Sequence, residues 1–313
     1  MAKFRDNLPQ LGDRVFLADG GIETTLIFHH GLDLPDFAAF VLLADGDGRE
    51  ALRRYFRPYV EMARDSGTGI VLDTPTWRAS PDWAARQGYT GGELAEANRA
   101  AVDLLVEMRD EYETSAAPIV VSGCLGPRGD GYAPDTMMTA AEGEAYHSGQ
   151  VAVFADSEVD LVTAITMTHT GEAIGIAQAA AARDVPCVLS FTVETDGRLP
   201  SGDQLGDAVR AVDAATGSAP SYYMVNCAHP THFDATLRAG DGWVNRIRGL
   251  RANASTMSHA ELDEATELDD GDPTDLAARY ASLREELPQL SVLGGCCGTD
   301  HRHIDAIRRA CVT

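Results

Sequence analysis

The chain predicts a parallel (β/α)8 TIM barrel, a single domain over residues 1–313, and three observations lead there. Short β-branched runs alternate with longer helical stretches eight times, the order of a barrel ringed by helices. The polar clusters fall just after the strands. Asp19, Thr74, Ser122, Thr166, Cys227, Asn253 and Cys296 would therefore meet on one rim, where barrels build their sites. The length of 313 residues suits one such barrel, and no linker, low-complexity stretch or internal repeat divides it. A doubly wound open sheet is the alternative for the same alternation, and the placement of the polar clusters favours the barrel.

Val15–Ala18 is the first strand, ending in Asp19-Gly20-Gly21. An irregular segment containing Pro35 leads to a helical pattern over 49–66, and Ile70–Asp73 is the second strand. Gly92–Tyr112 is a long amphipathic helix; Ile119–Ser122 follows as the third strand and runs into Gly123-Cys124-Leu125-Gly126-Pro127. Thr139–Asp156 reads as helix, Leu161–Ile165 as strand four, and 171–183 as an alanine-rich helix. Val185–Val193 is strand five, Gly202–Ala214 a helix, and Tyr222–Asn226 strand six. His232–Ala239 precedes strand seven, Val244–Leu250. The acidic stretch Glu261–Pro273 reads as an exposed loop, and 274–286 as helix. Leu290–Leu293 is strand eight, and a last helix runs to Cys311.

Composition narrows the function. A hydrophobic content of 44% is ordinary and can bury a sizeable core. The formal charge of −23 argues against nucleic acid and anionic membrane surfaces, which need basic patches. No run approaches the roughly eighteen apolar residues of a membrane span, and Met1–Asp6 lacks a secretory pattern. Six cysteines, two of them adjacent, do not resemble a disulfide framework, so the cytoplasm is the expected compartment. Small molecules are the expected partners, with a monomer and a homo-oligomer both open.

The chemistry concentrates in Leu293-Gly294-Gly295-Cys296-Cys297-Gly298-Thr299-Asp300. Two glycines let the backbone turn at the strand end, and Thr299-Asp300 can cap the following helix. Side chains alternate along a strand, so adjacent cysteines aim at one point only where strand geometry ends. Cys227 ends strand six. Three thiols at strand ends are what a zinc site with one open position needs. The plainer reading takes buried cysteines as small core residues, and it is preferred for Cys124, Cys187 and Cys311.

Gly294–Asp300, preceded by Val225-Asn226-Cys227, resembles the zinc signature of the homocysteine S-methyltransferase family. The resemblance extends to Ala18-Asp19-Gly20-Gly21 with Glu23-Thr24, to Gly123–Pro127, and to Ser190–Val193 continuing through Gly197–Gly202. It implies a (β/α)8 barrel, Zn2+ held by Cys227, Cys296 and Cys297, and transfer of a methyl group to a thiol. It also implies that Asp19, Gly20 and Gly21 receive the amino-acid part of homocysteine; glycines past a strand expose backbone N–H groups, and an aspartate can pair with an ammonium. Without the cysteines, the same segment reads as a turn.

Two departures bear on substrate. The family's glutamate at the end of strand four is replaced by Ile165, next to Thr166, and Arg78 stands where an aromatic or small residue is usual. Isoleucine accepts no hydrogen bond, so the sequence predicts weak selectivity for an α-amino group, with homocysteine-like thiols still the default acceptor. Thr74, Arg78, Ile165, Thr166 and Asn253 complete the expected substrate pocket, with Asn226 and His229 behind the metal ligands. His169 and His232 can line the pocket, though a surface or helix-end place is the commoner one for histidine, and His301 and His303 read as part of the last helix. Trp77 and Trp83 can wall a donor pocket, since aromatic faces attract onium methyl groups, or can simply fill the core.

The reading is a zinc-dependent S-methyltransferase taking a methyl from a small onium donor, with no catalytic residue beyond the metal site. Rivals are the same chemistry on another thiol, a demethylase, a zinc- or thiol-binding protein without turnover, and a redox protein using Cys296-Cys297. Adjacent cysteines make a strained disulfide, which disfavours the last.

Overall fold

The computed structural model describes residues 1–132 and 137–312. Eight parallel strands close into a barrel in chain order: β1 (Phe16–Ala18), β2 (Gly69–Asp73), β3 (Ile119–Leu125), β4 (Leu161–Met167), β5 (Cys187–Phe191), β6 (Tyr222–Asn226), β7 (Ile247–Ala252) and β8 (Val292–Gly295). The ring is completed by β8 pairing with β1, Phe16 beside Val292. Outside it lie α1 (Gly46–Ser66), α2 (Gly91–Tyr112), α3 (Ala140–Ala155), α4 (Thr170–Ala181), α5 (Leu205–Thr216), α6 (Pro230–Arg238), α7 (Pro273–Glu286) and α8 (His301–Cys311), with shorter helical turns in the loops.

Alternation along the strands sorts the interior into layers. Phe16, Val71, Val120, Leu161, Val188, Tyr222 and Val292 pack together inside the barrel, and Leu8 of the N-terminal segment packs with them. One step higher the same faces turn polar: Asp73, Ser122, Thr163, Ser190 and Arg251 are all buried. The alternate faces, with Leu17, Leu72, Val121, Leu189 and Leu250, pack against the helices in the larger core. The rim of the site therefore stands on a polar layer, with the apolar layer beneath it.

Several boundaries differ from the sequence expectation. The run expected as Val185–Val193 is strand only over Cys187–Phe191. Strand seven was expected from Val244, but Gly242–Arg246 is a 3-10 turn capped by the Asp241 side chain, so β7 starts at Ile247 and extends to Ala252. Helix α5 starts at Leu205 rather than Gly202. The acidic loop 261–273 begins inside a short helix, His259–Glu264. Most telling is β8, which contains both glycines. A Cβ at Gly294 would meet the Ala18 Cβ at 2.7 Å, and one at Gly295 would meet the Thr299 Oγ1 at 2.0 Å. The glycines serve close approach, and the sharp turn is made by Gly298, at φ 78°. No helix among the described residues is long and apolar enough to cross a membrane.

Candidate functional site

Cys227 is the residue just past β6. Asn226 faces the barrel interior, so regular strand geometry would send Cys227 outward. A left-handed φ of 53° turns it back toward the rim. Thr166 does the same on β4, at φ 66°, beside a register shift between Ala164 and Met167. Such conformations cost about 1–3 kcal/mol in a non-glycine residue and persist only where neighbours enforce them. Here the neighbours are explicit. The Cys227 carbonyl accepts hydrogen bonds from His259 Nε2 at 2.7 Å and Thr192 Oγ1 at 3.3 Å. Asn226 holds Thr166 from both ends, accepting from its N–H at 3.0 Å and donating to its hydroxyl at 2.8 Å.

Cys296 and Cys297 follow β8 directly. Cys296 donates its N–H to the Ala252 carbonyl at 2.8 Å, and the Cys297 carbonyl accepts from Ala254 at 3.0 Å. The sulfurs of Cys227, Cys296 and Cys297 all lie within 4.8 Å of one another. The Cys227–Cys296 pair stands at 2.7 Å and Cys227–Cys297 at 3.7 Å, and all three are free thiols. Hydrogen bonds from Cys227 and Cys297 hold the Cys296 thiol well below the ordinary cysteine value. Three soft donors gathered at a strand-end rim fit a thiophilic dication such as zinc.

Two residues that sequence reasoning passed over complete this wall. The Tyr132 hydroxyl lies 3.4 Å from Cys297 Sγ and 3.6 Å from Cys227 Sγ. Burial, then the neighbouring sulfurs, hold its phenol well above the ordinary value, so it faces them as a donor. Its ring stacks on His259, centroids 4.1 Å apart and 8° from parallel. His259 Nδ1 in turn lies 3.0 Å from Glu194 Oε1. Near Tyr132 in sequence, Arg128 N–H bonds Glu172 at 2.7 Å and Met138 N–H bonds His169 Nε2 at 3.0 Å. A barrel-rim argument points to Tyr132 and His259, since both follow strands at the face where the cysteines sit.

The other expected site residues divide. Asp19 is buried with both carboxylate oxygens engaged: Oδ1 by Arg251 and Oδ2 by the Tyr55 hydroxyl at 2.8 Å. Arg251 also pairs with Asp73. Burial raises the Asp19 carboxyl to about 6, against the pull of Arg251. Gly21 donates its N–H to the Thr299 carbonyl at 2.9 Å. A Cβ at Gly21 would meet the Cys296 carbonyl at 2.5 Å, and one at Gly20 would meet the Thr299 carbonyl at 2.7 Å. These glycines let the β1 and β8 turns touch. Thr74 is tied to the end of β3, its hydroxyl accepting from Cys124 N–H at 2.8 Å and lying 2.6 Å from that of Thr76. Asn253 donates its N–H to the Ala228 carbonyl at 3.1 Å, and its buried Oδ1 has no protein partner among the described residues. Asn226 Nδ2 reaches to 3.9 Å from Cys296 Sγ. His229 is directed elsewhere: it caps α6, with Nδ1 2.8 Å from the Thr231 hydroxyl.

Opposite the sulfurs, Ile165 is buried and its carbonyl accepts from Trp77 Nε1 at 3.3 Å. The Arg78 guanidinium sits between two indoles, 3.9 Å from the Trp77 centroid and 3.6 Å from that of Trp83. One face of each indole expected to greet an onium methyl is thus covered by the protein's own cation. Burial pushes the Arg78 guanidinium down to about 10.

The model of the homocysteine S-methyltransferase family matches residues 16–311. The chain belongs to that family. It is 23% identical over 313 residues to homocysteine S-methyltransferase 4 of Zea mays, covering 94% of this chain and 88% of that protein. It is 26% identical over 281 residues to betaine–homocysteine S-methyltransferase 1 of Rattus norvegicus, covering 82% of this chain but 63% of that longer protein. The structure of the homocysteine methyltransferase MmuM from Escherichia coli in its oxidised form matches with a TM-score of 0.74 at 22% identity, over 98% of this chain and 99% of that one. Its metallated form matches with a TM-score of 0.72 at 21% identity, over 94% and 96%. Family membership makes the chain a methyltransferase, and the shared barrel is the likeness to MmuM.

Proposed function

We propose that this protein is a zinc-dependent S-methyltransferase that moves a methyl group from a small onium donor to homocysteine or a similar thiol, giving methionine from homocysteine. The donor is of the S-methylmethionine, S-adenosylmethionine or betaine type. The observation that carries the reading is the convergence of Cys227, Cys296 and Cys297, whose sulfurs lie within 4.8 Å of one another. Among the described residues no histidine or carboxylate completes that cluster, which leaves a position for a ligand from solution. Zinc held by the three cysteines would keep an arriving thiol deprotonated near neutral pH.

The chain's own residues supply position. Asn226 and His259 fix the two left-handed residues of the rim, and the Tyr132 hydroxyl donates toward the cysteine sulfurs. The acceptor sulfur uses a lone pair to form the new bond to the methyl carbon. The carbon–sulfonium or carbon–ammonium bond breaks, and its electron pair stays on a leaving group that departs neutral. No proton has to reach that group, so no general acid is required. Alignment of sulfur, methyl and leaving group can supply much of the acceleration.

Zinc-loaded protein incubated with homocysteine and a panel of onium donors, read by mass, should yield methionine and the demethylated donor. Activity should climb with pH as the acceptor thiol ionises and then level off. Failure of every donor to methylate any thiol overturns the reading; a steep alkaline loss with metal and fold intact would reveal an essential acid.

A further inference from the structure

Asp19, the residue expected to receive the ammonium of an amino-acid substrate, already pairs with a cation. Both oxygens of Asp19 are engaged, by Arg251 and Tyr55. Ile165 presents hydrocarbon. Two further ionisable side chains, Glu23 and Arg78, are electrostatic neighbours here. Glu23 starts the turn behind Gly21, the residue packed on the Cys296 carbonyl. It is half-buried, and its carboxylate is bonded to its own backbone N–H, with no ion pair to another side chain within 4 Å among the described residues. Beyond burial, its electrostatic surroundings include the Cys296 sulfur, Asp19 and Arg78. Arg78 is clamped by Trp77 and Trp83. Of the five N–H donors a guanidinium carries, the hydrogen bond formed among the described residues is Nη1 to the Gly129 carbonyl at 3.1 Å. Nη2 stands 3.8 Å from an Asp130 oxygen, and the buried Nε has no partner among the described residues.

A carboxylate and a rigid guanidinium close enough to feel each other's charge, with the Cys296 sulfur also beside the carboxylate, are complementary to a zwitterion. We propose that the amino-acid end of the acceptor thiol lies between Glu23 and Arg78, its ammonium on the Glu23 carboxylate and its carboxylate on the Arg78 guanidinium. This rests on the methyl-transfer reading for the identity of the ligand as an acceptor. It makes Glu23 and Arg78 the residues that choose an α-amino-acid thiol. Ile165 taken alone predicts weak selectivity for the α-amino group, and Glu23 reverses that expectation. A zwitterionic methyl donor carries the same two charges, so the test must separate donor from acceptor.

Calorimetry on zinc-loaded protein without a methyl donor does so, using homocysteine, 4-mercaptobutanoate, which lacks the ammonium, and 3-mercaptopropylamine, which lacks the carboxylate. The parent should bind homocysteine at least about 30-fold more tightly than either analogue, the low end for loss of a close charge contact. Glu23→Gln should erase the preference over 4-mercaptobutanoate and leave binding of that analogue within about threefold. Arg78→Gln should do the same with 3-mercaptopropylamine. Both variants should keep the parent's zinc content and circular dichroism. Equal binding of all three thiols by the parent, equal weakening of all three by either variant, or no thiol binding at all overturns the proposal. Unchanged thiol binding with a raised donor KM assigns the pair to the donor and overturns it too. Tight homocysteine binding without methyl transfer from any donor defeats the methyl-transfer reading and leaves this pairing standing.

Discussion

The two walls of the rim are built by different means. On the β6–β8 wall each cysteine of the cluster is fixed through the backbone. Cys227 is held at its carbonyl by His259 and Thr192, Cys296 at its N–H by Ala252, and Cys297 at its carbonyl by Ala254. On the β1–β4 wall the charged groups are side chains placed by local contacts: Arg78 lies between indoles, and Glu23 is bonded only to its own backbone N–H among the described residues. A wall fixed through main-chain bonds tolerates change around it while keeping its chemistry. A wall set by side chains can be rewritten by one or two substitutions. On the proposed function, the first wall sets the reaction type and the second the choice of substrate.

The largest expected effect tests the first wall. Cys297→Ser should lose zinc on dialysis against a chelator and lose methyl transfer with it. Cys297 is half-buried at a strand end and packs in neither apolar layer, so the thermal midpoint of the metal-free protein should barely move. Full zinc occupancy in this variant would break the comparison outright.

A second substitution tests the buried layer that supports both walls. Arg251 pairs with Asp19 and Asp73, and all three are buried. Arg251→Met leaves two carboxylates without their cation, and breaking a buried pair in this way costs about 3–5 kcal/mol. Urea unfolding of the metal-free protein reads it. The sign with pH follows from the direction of the shift. Burial already raises Asp19 to about 6, and removing the arginine raises it further. An acid whose folded value lies above its unfolded one binds more protons when folded, so its penalty is absent at low pH and grows as pH rises through the folded value. The variant should regain stability on acidification from about pH 7 to 5, over the window around and below the raised value.

Much of this was legible in the residues, for physical reasons. The cysteine pair between glycines and the lone Cys227 at a strand end point to the three-thiol cluster because barrel strand ends converge on one rim. Strand β6 lies where its aromatic and β-branched run predicts. Strand seven was misread because Trp243-Val244 looks like the start of a strand, while Asp241 caps a turn there. Contacts between distant loops left little trace: Tyr132 meets His259 only once the closed barrel brings the loops after β3 and β7 to the same rim. The Arg251 network could have been found by alternation, since Leu250 faces the helices and so Arg251 must face the interior, where only an acid could balance it.

The smallest effect sharpens how the sulfur wall is anchored. Asp300 follows the Cys297–Thr299 turn and caps α8, its carboxylate accepting from Arg302 N–H at 2.9 Å and approaching His303 Nδ1 at 3.1 Å. Losing such a cap costs about 1 kcal/mol, and the half-exposed Arg302 adds little to that because solvent screens the pair. Asp300→Ala should therefore lower the thermal midpoint by only about 2 °C. Burial works to raise this carboxyl, but the bonds from His303 and Arg302 outweigh it and hold it well below the ordinary aspartate value. A depressed acid contributes stability that is present above its unfolded value and lost as pH falls through the folded one. The gap between parent and variant should then be flat from about pH 5 to 8 and close below about pH 4, the ordinary aspartate value. Repeating the melt with zinc bound decides what the cap supports. An equal loss in both forms confines Asp300 to the helix, whereas a larger loss in the zinc form means that the turn after Cys297 depends on it, and that the sulfur wall is held from below as well as from its flanking strands.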